Sequence, residues 1–204
     1  NDDGITAPGI VALAQEMIAF GEVWVVAPDS PQSGMGHAVT IGNILRMDEV
    51  PFPVEGVRAH STTGTPVDCV KLAIHRLLHR KPDLLVSGIN HGSNSSINVI
   101  YSGTMSAAVE GAVEGIPSIG FSLLDHARGA DFSAAQEAVK RVVPPVLEHG
   151  LPTGTCLNVN IPKLPWSEIQ GIKVCRQAAG YWEEAFEERQ SPGGSTYYWM
   201  SGKF

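Results

Sequence analysis

Long apolar runs, clustered cysteines and excess positive charge are all scarce in this 204-residue chain, and each shortage removes a class of function. No apolar stretch approaches the ~20 residues that span a bilayer, and no apolar leader opens the chain; a cytoplasmic protein without membrane contact is expected. The three cysteines, Cys69, Cys156 and Cys175, lie far apart and form no CxxC pair. An odd count without zinc-type spacing predicts reduced packing thiols, not a disulfide framework or a zinc site. Fourteen basic residues stand against 21 acidic ones, a net charge of −7, which argues against binding a nucleic-acid backbone. A phosphorylated small substrate stays compatible with that charge if a metal ion supplies the positive end.

Several familiar catalytic loops are missing too. No GxxxxGK[ST] occurs, and Gly34-Met35-Gly36 is followed by Val39 where a dinucleotide fingerprint needs glycine. Ser33, in QSGMG, lacks the GxSxG elbow of a hydrolase nucleophile. His75 and His79 are four apart, but HRLLHRK reads as a basic helix C-terminus with no acid between them. Asn94-Ser95-Ser96 matches a glycosylation sequon, an incidental match in a cytoplasmic chain. From Gly88 to Ala108 there is no Lys, Arg, Asp or Glu, and His91 is the one ionisable side chain.

What is present is a regular alternation of apolar patterns, with hydrophobic residues at 43% and charged ones at 17%. Pro8 to Phe20 carries a helical stripe, and Val23 to Ala27 is a continuous apolar run suited to a strand buried on both faces. Ala38 to His60 is more weakly strand-like. Thr65-Pro66-Val67-Asp68 has the form of a capped helix start, predicting a helix to about Arg80. Asp83 to Ser87 is the next buried strand, Gly88 to Thr104 a long loop, Ser106 to Gly115 a small-residue helix and Ile116 to Ser122 a strand. A helix capped by Ser133, with Gln136 as its partner, should run to about Gly150, kinked or shortened by Pro144-Pro145. Cys156 to Pro162 and Ile172 to Cys175 read as later strands. This alternation predicts an α/β fold, Rossmann-like and doubly wound, with a mostly parallel sheet and helices on both faces. After Gly180 the sequence turns acidic and aromatic, and SPGGSTYYWM looks like a turn and a strand. A core over 1–180 and a C-terminal β arm over 181–204 are therefore expected. Because the chain opens in a polar loop, a buried strand ahead of Asn1 is also expected.

In open α/β sheets, ligands bind beyond the carboxyl ends of the strands. Ser33 follows the Val23–Ala27 strand, Asn90 follows Asp83–Ser87, and Asp2 and Asp3 would end a strand preceding Asn1. Two carboxylates, a hydroxyl and an amide form an all-oxygen set suited to Mg²⁺ or Mn²⁺. An Asp-Asp pair alone can equally serve a turn or a cap. Tyr101-Ser102-Gly103-Thr104 stands just ahead of a helix, where free N–H groups and hydroxyls make an anion site; a well-capped helix has the same pattern.

Taken in order, NDDG, APG, VVAPDSPQSG, STTGTPVDC, SGINHGSN, YSGT, AAVEG and LNVNIP resemble the stationary-phase survival protein SurE family, from Asn1 to about Met200. The resemblance implies a metal-dependent phosphomonoesterase of nucleoside 5′- and 3′-monophosphates, and of short polyphosphate in some members. It implies one divalent ion per subunit, Mg²⁺ or Mn²⁺, on Asp2, Asp3, Ser33 and Asn90, with Asp2 and Asp3 also catalytic. Asn94, Ser102, Gly103 and Thr104 match the stretch that cradles phosphate. The nucleophile would be a water activated by the metal; either aspartate can orient or deprotonate it, and covalent attack by a carboxylate stays open. The family's swapped C-terminal arm implies a homodimer or homotetramer. Ser96 departs from the pattern, standing where many members have glycine. The family also usually opens with a strand ending at NDD and continues past the match of Phe204 with a strand and a helix. A non-catalytic nucleotide or phosphate sensor using the same pocket is the alternative. Tyr101, Tyr181 and Trp182 suit either base stacking or packing.

Overall fold

Two three-stranded ladders and a separate hairpin carry the chain, in a computed structural model that describes residues 1–127 and 129–204. After helix α1 (Pro8–Met17), strand β1 (Trp24–Pro28) pairs in parallel with β3 (Arg58–Thr62), and the short β2 (Met47–Glu49) joins β3 antiparallel. Helix α2 (Pro66–Leu72) runs into a π-helical turn at Ala73–Leu77, and β4 (Leu85–His91) follows. Strand β4 pairs in parallel with β5 (Ser118–Leu123), which pairs in parallel with β6 (Cys156–Ile161). Between them lie α3 (Asn98–Tyr101), α4 (Gly103–Val113) and α5 (Ser133–His149). The expected mixed, mostly parallel α/β architecture is present, the described strands pairing in two ladders.

Strand β5 shows why helices cover both faces. Ile119, Phe121 and Leu123 point into a core with Leu13 and Met17 of α1 and Val139 and Val143 of α5. Each such buried side chain contributes about 1.5–3 kcal/mol. The alternate residues Ser118, Gly120 and Ser122 are small and face the other way, where Met105 of α4 lies against Gly120. The small-residue composition of α4 lets its backbone approach this face closely.

Helix α2 starts where the sequence said it should. Thr65 Oγ1 accepts from Asp68 N (3.2 Å), and Asp68 Oδ2 accepts from Thr65 N (2.9 Å). Asp68 also accepts from Thr40 N and Oγ1 (3.0 and 2.6 Å), so the cap holds down the preceding loop. Burial pushes its carboxyl up, but the hydrogen bonds from Thr40 and Thr65 outweigh this and hold it below the usual carboxylate range. Thr65→Ala should therefore destabilise the protein by about 1–2 kcal/mol, read as a lower melting temperature.

The other expected cap differs. Asp131, not Ser133, accepts at the start of α5, taking Ser133 N and Oγ (both 2.9 Å), because a carboxylate is the stronger acceptor at a helix N-terminus. Gln136 instead reaches across to Ala12 O of α1 (3.2 Å). Pro144 and Pro145 do not shorten the helix: both lie on its exposed face, where the carbonyls they leave free meet water. Ala38 to His60 yields only β2 and the start of β3, and Ile172 to Cys175 forms no strand. Burial pushes the Cys69 thiol up to about 11, in keeping with a packing role.

Strands β7 (Glu183–Gln190) and β8 (Thr196–Lys203) form an antiparallel hairpin joined to neither ladder. Every residue of both strands is exposed, including Phe186, Tyr198, Trp199 and Met200. No helix among the described residues is long and apolar enough to cross a membrane.

Candidate active site

Three segments meet around Asp2. Its backbone carbonyl accepts from Gln32 N (2.7 Å) in the loop after β1, and its Oδ1 accepts from Thr104 Oγ1 (2.6 Å) at the start of α4. Asn1 Nδ2 reaches Ile89 O of β4 (3.5 Å), setting this turn beside the end of that strand. Gly103 lets α4 come so close: a Cβ there would stand 2.6 Å from the Asp2 Cβ and 3.0 Å from Pro66 Cγ. The paired carboxylates and the helix N-terminus, two separate motifs in the sequence, are thus in direct contact.

Asp3 holds the unbalanced charge. Burial, and then the Asp2 carboxylate, push its carboxyl above the usual range, against weaker opposing effects from His91 and Asn1. Among the described residues its Oδ2 is buried without a hydrogen-bond partner. An orphaned carboxylate oxygen costs free energy, and a cation would offset it. The donor chemistry fits a hard cation, since Asn90 directs its amide nitrogen to His91 O (3.2 Å) and Gly92 O (3.0 Å), leaving the amide oxygen free. The β4–β5 register slips between Ser87 and Asn90, an irregularity of the kind that re-aims a side chain beside a site. Among the described residues no group of three or more His, Cys, Asp and Glu gathers, so neutral oxygens must complete any such centre. Ser33 is exposed, next to Gln32, and its hydroxyl makes no hydrogen bond among the described residues. The loop is thus tied to Asp2, while the Ser33 side chain is not drawn into the contacts around Asp3.

Three of the residues expected to hold phosphate, Ser102, Gly103 and Thr104, stand at the start of α4. Ser102 caps this helix, accepting from Met105 N (3.0 Å), and its own hydroxyl proton meets no acceptor among the described residues. Thr104 is fully buried with its hydroxyl committed to Asp2, so only its backbone N–H is left to face an anion at this helix N-terminus. Asn94 is buried; its Nδ2 donates to Ser122 Oγ (2.8 Å), its N to Asn160 Oδ1 (2.9 Å), and its carbonyl accepts from Asn158 (2.8 Å). One amide proton is therefore spent on fixing the loop, and one is available.

Glu110 of α4 escaped the sequence reading, although it sits in the AAVEG segment. It is 3% exposed and takes His37 Nε2 (2.8 Å) from the Ser33 loop and Lys71 Nζ from α2. Burial pushes its carboxyl up, but Lys71 and His37 prevail and hold it below the usual range. It ties the Ser33 loop to the helix that Ser102 caps. Asn158 and Asn160 were also missed. Their signal was the polar alternation in LNVNIP, which puts two amides on the face of β6 that holds the Asn94 loop.

Fold and site together define an α/β protein whose paired carboxylates abut a helix N-terminus beyond the strand ends. The family model described as Survival protein SurE matches residues 1–184. The chain is 61% identical over 205 residues to the 5′-nucleotidase SurE of Christiangramia forsetii, covering all of this chain and 79% of that protein. It is 48% identical over 204 residues to the 5′-nucleotidase SurE of Bacteroides fragilis, again covering 100% and 79%. The crystal structure of the SurE protein from Aquifex aeolicus superposes with a TM-score of 0.84 at 41% identity, over 100% of this chain and 80% of that one. This chain belongs to the SurE family.

Proposed function

We propose that the protein is a metal-dependent 5′-nucleotidase that hydrolyses nucleoside monophosphates to nucleoside and phosphate. The contact between Asp2 and Thr104 carries the reading, because it sets the carboxylate pair against the anion cradle. The names of the relatives above support a nucleotide substrate. Asp2, Asp3, Ser33 and Asn90 would hold one Mg²⁺ or Mn²⁺, which supplies Lewis-acid polarisation of the phosphoryl group and lowers the pKa of the attacking water. Asp2 is anchored by Thr104, and Asp3 keeps an unpartnered oxygen to orient or deprotonate that water. The Ser102 hydroxyl, the N–H groups of Gly103 and Thr104, and the free amide proton of Asn94 hold the phosphoryl oxygens as charge spreads over them.

Residues 1–180 form the phosphatase core in this reading, and 181–204 an arm that engages another copy of the chain in a homodimer or homotetramer. Its support is the exposed apolar surface of the hairpin, since a two-stranded ribbon is at best marginally stable alone. The net charge of −7 supports an enzyme that does not act on nucleic acid, and in this reading it works in the cytoplasm without membrane contact.

The test is phosphate release from a panel of nucleoside 5′- and 3′-monophosphates and short polyphosphate in Mn²⁺, Mg²⁺ or EDTA. Release that EDTA abolishes is expected, greatest on 5′-monophosphates. Nucleotide binding in EDTA with no release under either metal would replace this reading with a sensor.

A further inference from the structure

Among the described residues, Ser96 alone combines a side chain with a left-handed backbone, at φ +56°. That conformation favours glycine, so a serine there needs a compensating contact. The contact is with the root of the C-terminal arm. The Ser96 hydroxyl is buried and accepts from Gly180 N (2.5 Å), and its proton is shared between the carbonyls of Ala178 (3.1 Å) and Gly180 (3.2 Å). Gln177 Nε2 donates to Ser96 O (3.1 Å), and Trp182 Nε1 donates to Asn98 Oδ1 (2.8 Å). Residues 96–98 and 177–182 are therefore clasped by side-chain bonds, with Ser96 at the centre. On the other side, Asn94 ties the same loop to Ser122, Asn158 and Asn160 on β5 and β6. The loop is stretched between the sheet and the arm.

We propose that Ser96 is a positioning residue that locks the arm root onto the Asn94 loop, so that the seating of the arm sets the affinity for the substrate phosphate. The inference rests on the reading of Asn94 as a phosphate ligand. It separates the two things a serine could do here. If Ser96 only shapes the turn, glycine serves at least as well, because it adopts this φ without strain. If the hydroxyl is the clasp, glycine loosens the loop even while it relieves the backbone.

Gly180 offers an independent approach that leaves the loop untouched. Its backbone φ is ordinary, but a Cβ would stand 2.8 Å from Ser96 Oγ and 3.0 Å from the Phe204 ring, pushing the arm root off the loop. The experiment measures KM and kcat for a nucleoside 5′-monophosphate in saturating Mn²⁺, using the full-length protein. Ser96→Gly and Gly180→Ala should each raise KM about fivefold, the effect of one lost positioning hydrogen bond, with kcat within about twofold. The double variant should be no worse than either single one, because both break the same clasp. Asn94→Ala is the control and should raise KM as well. A parental KM in Ser96→Gly, with KM raised in Asn94→Ala, overturns the clasp and leaves the phosphate assignment standing. A parental KM in Asn94→Ala overturns both. Additive effects of Ser96→Gly and Gly180→Ala also overturn the clasp.

Discussion

Asp3→Asn should abolish hydrolysis and, in EDTA, melt at a higher temperature than the parent. Both effects follow from one buried oxygen. Burial and the Asp2 carboxylate raise the Asp3 carboxyl above its usual range, so the folded protein holds that proton more tightly than the unfolded chain. Stability of the metal-free protein therefore falls as pH rises through the ordinary carboxylate range and then through the raised value of Asp3. An uncharged asparagine removes the penalty, so the gain should be present at neutral pH and disappear below both values. Added Mn²⁺ should reverse the order. At a hundredfold excess over Kd it stabilises the parent by about 2.7 kcal/mol, roughly 5–10 °C for a chain of this size, and Asp3→Asn far less. Turnover should drop by about 10²–10⁴-fold, as expected when the group that orients or deprotonates the attacking water is lost. Thermal melts in EDTA and Mn²⁺, paired with phosphate release, measure both. Parental turnover in this variant would remove Asp3 from the chemistry.

Gly103→Ala is the second large effect, and it is steric. The new Cβ would sit 2.6 Å from the Asp2 Cβ and 3.0 Å from Pro66 Cγ. Either Asp2 moves or α4 backs away, and in both cases the Thr104–Asp2 bond lengthens and the carboxylates separate from the cradle. A misplacement of about 1 Å at a reacting centre costs about 10²-fold in rate, and overpacking costs about 1–3 kcal/mol of stability. Gly42→Ala makes the control, since a Cβ there meets nothing within 4 Å and should change neither rate nor melting temperature. Parental kcat in Gly103→Ala would mean that the pair and the cradle do not work as one site.

These effects differ in how far the sequence shows them. The Thr65–Asp68 cap was legible because both partners lie within one turn of helix, and the structure holds both bonds. The end of α2 was not legible: apolar spacing continued to Leu78, while the backbone turns π-helical after Leu72 and leaves the helix at Leu78. Gly88 to Thr104 looked like one long loop because its residues are small and polar. Its first four residues continue β4, held by backbone pairing with β5 that side-chain pattern does not report. Ser133 was legible as a capping residue, but Asp131 takes the role because its oxygens are the ones that face Ser133 N and Oγ.

By itself, the sequence determined most of the elements and the residue types each one carries: the apolar periods, the cap at Thr65, the oxygen-bearing side chains after strands and the charge-free stretch ahead of α4. These depend on neighbours a few residues apart, where chain connectivity already dictates geometry. Tertiary structure decided the Glu110 link to His37 and Lys71, the contact of Thr104 with Asp2, and the reach of Ser96 to the arm root. Those partners are 39 to 102 residues apart. No local propensity encodes such pairings; they follow from burial, because a polar group carried into the interior must find a partner wherever the packed helices and strands supply one.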